Sequence, residues 1–93
     1  MTSPEDRFDE LRRRIAENDA AIVAAVNVRL RLVEELWRLK QELGAPRLDP
    51  EREERLRAAL REANVGPLSA EGADRLVGEL LELTKRELGG PAA

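Results

Sequence analysis

Arg29 is the side chain in this 93-residue sequence whose surroundings most need a chemical explanation. It stands between Val26 and Val33, in a stretch (20–33) where only Arg29 and Arg31 are charged. A guanidinium on an apolar face is costly unless it is paired or its head reaches water. No Asp or Glu lies one turn away, and Glu34 and Glu35 fall on other faces. The anion therefore comes from another segment or from a ligand; otherwise the side chain snorkels out of an interface. Arg12 and Lys40 raise the same question. With Asp19, Val26 and Val33 they form a stripe repeating every seven residues. Arg52 shares a face with Leu56, Ala59 and Ala63, and Glu53 is its neighbour. Cations set into apolar surface suit carboxylates, which Arg can grip with two parallel hydrogen bonds.

Missing residue types narrow the chemistry. The sequence has no His, Cys or Tyr. Thiol nucleophiles, disulfides, thiolate zinc sites and imidazole bases are excluded. Ser3, Ser69, Thr2 and Thr84 are the only hydroxyls, and no Ser-His-Asp triad can be built from them. Any enzyme made from this chain works by charge and geometry, or by carboxylate and Lys chemistry. No metal or cofactor is expected. Net charge is −3, with signs well mixed, and aromatics are limited to Phe8 and Trp37. Nucleic acid is thus a poor partner. No apolar run is long enough to span a membrane, and residues 1–14 lack the apolar centre of a secretory signal. The expected location is the cytoplasm.

Three helices are expected to position these groups. Ser3-Pro4-Glu5-Asp6 combines a cap, a first-turn Pro and acids at the positive end of the dipole. No Gly or Pro follows until Gly44, so the first helix should run from about 4 to 43, about 60 Å. Asp49 and Pro50 restart the chain as a second helix to about 64, and Asp49 is read as its N-cap. Ser69 caps a third over about 70–88, with Leu68 and Ala73 placed as a staple. On that helix Leu76, Leu80, Leu83, Thr84 and Leu88 are the expected apolar face. Thr84 is its only hydroxyl, a type that usually bonds its own helix backbone. The tail 91–93 is expected to be disordered. One domain covers 1–93, of all-α class.

The first helix is too long for a globular monomer, whose radius of gyration would be about 12 Å. It stands in a coiled coil or spans a dimer. Phe8, Leu11, Ile15, Ile22, Leu32 and Leu36 belong to one continuous seam, interrupted by Asn18 and Arg29. Val23, Leu30 and Trp37 add apolar surface beside the second stripe. Arg12 and Lys40 are 28 residues apart, about 42 Å along one helix, so one chain cannot bring both to a small pocket. An antiparallel partner crossing near Ile22 and Val23 could set its Arg12 between Arg29 and Lys40, giving two equivalent pockets in a two-fold dimer.

The pattern Leu11-Arg12-x-x-Ile15-x-x-x-Asp19, then Arg29, Lys40 and Asp49-x-x-Arg52-Glu53, resembles the all-helical AroQ class of chorismate mutase. Asn64-Val65-Gly66-Pro67-Leu68 is similar to the linker of such domains fused to DAHP synthases. The resemblance implies an intertwined homodimer of three-helix chains. It implies that Arg29, Lys40 and Arg52 of one chain, with Arg12 of the other, bind the carboxylates and ether oxygen of chorismate. Glu53 would accept the substrate hydroxyl, Asp49 would support the pocket, and Lys40 would donate to the ether oxygen. The sequence departs from the family at Leu88, where a Gln donor is common, and at Trp37, where Gly is common. Thr84 falls where a small or hydroxyl residue is usual. These departures imply a weak enzyme alone, activated by a DAHP synthase. An isochorismate-pyruvate lyase, a non-catalytic regulatory module for DAHP synthase and a plain dimerisation module are the competing readings.

Overall fold

The computed structural model describes residues 2–47 and 49–89. They form three α-helices: α1 (Pro4–Leu43), α2 (Pro50–Ala63) and α3 (Ala70–Leu88). The expected tail 91–93 lies outside the described residues.

Local chemistry sets each boundary. Ser3 Oγ accepts from the Asp6 amide at 3.1 Å and opens α1. Gly44 closes it in a left-handed conformation (φ 69°) that costs glycine nothing. Asp49 Oδ1 accepts from the Arg52 amide at 3.1 Å and starts α2. Ser69 Oγ does the same for the Gly72 amide at 2.9 Å at the head of α3. Between α2 and α3, Asn64 ties the turn on both sides. Its Nδ2 donates to the Leu68 carbonyl at 2.8 Å, and its Oδ1 accepts from the Gly66 amide at 3.1 Å. Gly66–Pro67 is a cis peptide. Leu68 folds back onto Gly72, where an added Cβ would lie 2.7 Å from Leu68 Cδ1.

The helix α3 packs against both α1 and α2. Arg61 Nε also pairs with Asp74 Oδ1 at 2.8 Å between α2 and α3; exposed pairs of this kind contribute little. Ala73, Val77 and Thr84, all on α3, are the buried residues among those described. The packed face of α3 thus differs from the expected one: Leu76 and Leu83 are exposed. A helix flanked on two sides turns its small residues to the closest approach, so Ala73 and Val77 take the inner stripe that leads to Thr84. The chain extends 63 × 24 × 17 Å with a radius of gyration of 17.7 Å, well above the compact value. None of the helices is long and apolar enough to cross a membrane.

Candidate active site

One cavity, about 370 Å³ in volume, is lined by all three helices and by the connection between α1 and α2. That is a volume suited to a small metabolite. Its polar lining includes Arg29, Lys40, Asp49, Arg52, Glu53 and Thr84. These residues come from four separate parts of the sequence, and the fold brings them to one wall-to-wall void. Val33, Leu36, Leu56 and Leu81 supply apolar walls.

Arg29 is held from α3. Its Nη1 donates to Thr84 Oγ1 at 2.5 Å, and that hydroxyl in turn donates to the Leu80 carbonyl at 2.7 Å. Thr84 is only 5% exposed, so its two bonds account for a buried hydroxyl completely. They also fix where the guanidinium points. Lys40, in the last turn of α1, donates from Nζ to the Arg47 carbonyl at 3.2 Å. Asp49 serves as cap and lining at once; its side chain accepts the Arg52 amide, and its carbonyl accepts the Glu53 amide at 3.0 Å. Arg52 and Glu53 therefore leave the first turn of α2 at an orientation set by Asp49.

The electrostatics leave the void short of negative charge. Burial lowers the pKa of Arg29, and the nearby positive charge of Arg52 lowers it further. Among the described residues, no carboxylate lies within ion-pair distance of Arg29, Lys40 or Arg52. Including Arg47 and Lys85, five cations line the cavity against two carboxylates. Such a site favours a small polyanion. No cluster of carboxylates among the described residues could hold a metal ion.

Two of the residues picked from sequence lie elsewhere. Arg12 sits on the far part of α1, its guanidinium 4.4 Å from the Phe8 ring centroid in its own chain. Leu88 does not line the cavity. It lies one turn beyond Thr84, in a neighbouring depression with Glu87, Gln41 and Arg38. Trp37 and Arg47 line both hollows and stand as the wall between them. Sequence reasoning missed Arg47 and Lys85. Lys85 follows Thr84 directly and could have been found from that neighbour. Arg47 lies in a connection without periodicity, and nothing in its spacing marks it.

A cation-lined void in an all-α chain is suited in charge to a small anion. Comparison with known proteins gives the particular family. Residues 11–87 match the family described as chorismate mutase type II. Two solved structures of chorismate mutase from Thermus thermophilus are similar to the chain. Form I is 36% identical with a TM-score of 0.80, covering 84% of this chain and 98% of that one. Form II is 35% identical with a TM-score of 0.81, covering 86% and 91%. No curated protein matches the chain. The chain belongs to the chorismate mutase type II family, whose members are isomerases.

Proposed function

We propose that the cavity binds chorismate and that Arg29, Lys40, Arg52 and Glu53 carry its rearrangement to prephenate, with Arg12 supplied by a second chain. The observation that carries this reading is the gathering of Arg29, Lys40 and Arg52 around one void, with no ion pair to any of the three among the described residues, in a chain of this family. The reaction breaks the ether C–O bond and forms a C–C bond within one molecule. It needs no nucleophile, metal or proton transfer, which suits a chain without His, Cys or Tyr. Arg29 and Arg52 grip the carboxylates and hold the substrate folded, so that the reacting carbons approach. Lys40 donates to the ether oxygen as charge develops there, which a cation already held in place stabilises without reorganising. Glu53 accepts the substrate hydroxyl, while Asp49 and Thr84 hold Arg52 and Arg29 in place.

The active unit in this reading is a two-fold homodimer. The apolar side chains left exposed along the first half of α1 support it, as does the distance of Arg12 from its own cavity. The reading carries with it a cytoplasmic enzyme of aromatic amino acid biosynthesis. Leu88, which cannot donate a hydrogen bond, supports the narrower proposal that the protein is slow alone and that a DAHP synthase raises its rate. Full turnover by the purified protein would refute that narrower proposal.

Mixed dimers test the shared site. Arg12→Ala and Arg29→Ala should each lower kcat/KM by a factor of about a thousand while leaving the dimer intact. Mixing the two variants and allowing chains to exchange should restore about a quarter of wild-type activity. Half of the dimers are then mixed, and each mixed dimer carries one intact site of two. No recovery on mixing would place Arg12 outside the site. Near wild-type turnover in Arg29→Ala would sink the assignment of the cavity.

A further inference from the structure

We propose that Lys85, in the last turn of α3, is a further substrate-binding cation of the cavity and holds a carboxylate of the ligand. The inference rests on the chorismate reading and adds a residue to it. Val77, Leu81 and Lys85 follow at intervals of four along α3, so they form one row on its surface. Val77 is buried, and Leu81 is half-buried and lines the cavity. An apolar residue would continue this row. Lys85 stands there instead, half-buried and lining the same cavity.

Two ordinary roles do not account for it. A cation in the last turn of a helix complements the negative end of the dipole, but Arg86 meets that need from an exposed position outside the cavity lining. A lysine can also lay its stem on an apolar wall and pair its head with a carboxylate. Asp49 and Glu53 line the same cavity, yet among the described residues no carboxylate pairs with Lys85. The other α3 side chains of the lining have nothing to offer a ligand. Leu81 carries no polar group, and Thr84 has committed its hydroxyl to Arg29 and to the Leu80 carbonyl. Lys85 brings three donors to the same wall.

Its neighbour decides what it would bind. Arg29 Nη1 bonds to Thr84, the residue next to Lys85, so cations from α1 and α3 converge on adjoining points of the wall. An anion between them relieves their repulsion. A carboxylate keeps its charge in substrate, transition state and product alike. A cation bound to it therefore tightens all three equally, which lowers KM and leaves kcat nearly unchanged.

The test combines kinetics with calorimetric titration of the product, prephenate. Lys85→Met keeps the stem and removes the charge. It should raise KM for chorismate about tenfold, weaken prephenate binding as much, and change kcat by less than about twofold. Lys85→Arg should restore most of the affinity. Arg86→Met is the control: it removes the neighbouring charge of the same helix end and should leave KM unchanged. A role confined to the end of α3 would instead appear as similar losses of thermal stability in Lys85→Met and Arg86→Met, with wild-type KM in both. Wild-type KM and prephenate affinity in Lys85→Met would overturn this proposal alone. Failure of the wild-type protein to turn over chorismate and to bind prephenate would overturn the chorismate reading, and this proposal with it.

Discussion

The two halves of α1 are built alike and treated differently. Both carry apolar side chains at helical spacing, and one uninterrupted helix runs through them. In the second half, Val26, Leu30, Val33, Leu36 and Trp37 are half-buried and the cavity opens beside them. In the first half every residue from 11 to 25 is exposed, including Ile22 at 54% and Val23 at 62%. Length explains the difference. The 19 residues of α3 reach only about 28 Å, against about 60 Å for the 40 residues of α1. One chain cannot cover its own longest helix. An apolar stripe left open over several turns marks an interaction surface, and the homodimer proposed above would cover it with the same stripe of a second copy.

The largest effect should come from breaking the uncovered half. Ile22→Glu places a charge on the expected crossing of the two helices. Sedimentation should then give the mass of one chain where the wild type gives two. Activity should fall by a factor of about a hundred or more, since no second Arg12 reaches the cavity. The second half of α1, packed within its own chain, should keep its helix. An unchanged mass and rate in Ile22→Glu would mean that the first half is an arm without a partner.

The same contrast shows what was legible in the sequence. The three helices and their all-α class follow from a few residues with strong local physics: Ser3, Asp49 and Ser69 as caps, Gly44 and Gly89 as stops. The gathering of Arg29, Lys40 and Arg52 was also legible, because cations on apolar faces need an anion; Asp49, Glu53 and Thr84 joined them only through the resemblance to a family. The packed face of α3 was legible only in part: Thr84 is buried and Leu80 and Leu88 are half-buried, but Leu76 and Leu83 are exposed. Leu occurs on several sides of that helix, so hydrophobicity alone does not choose among Leu76, Leu80 and Leu83; the squeeze between α1 and α2 favours the smaller Ala73 and Val77. Arg47 was hidden for a related reason. A connection has no period, and its stack on Trp37 exists only once the chain turns back at Gly44.

A smaller effect should follow from loosening the covered half without breaking it. Thr84→Val keeps the shape of the side chain but removes the hydroxyl that orients Arg29. Loss of a hydrogen bond to a charged group costs about 1.5–3 kcal/mol when the partner stays buried. The fold should survive, with kcat/KM lower by about a factor of ten. The dimer should be untouched, which separates this change from Ile22→Glu. Equal losses in both variants would join the two halves into one cooperative unit.

Leu88→Gln should have the smallest effect, and it tests where the covered half ends. If α3 presented position 88 to the ether oxygen, a Gln there would donate a hydrogen bond in the transition state and raise turnover. The wall of Trp37 and Arg47 stands in the way, so kcat should stay within about twofold of wild type. Opening the wall changes the expectation. In a Trp37→Gly background the two hollows join, and Leu88→Gln should then raise kcat above that of Trp37→Gly alone. A gain from Leu88→Gln in the otherwise wild-type protein would mean that α3 turns or Trp37 swings aside when the site is complete. The half of α1 that one chain covers would then be finished only by the second chain, as its exposed half is.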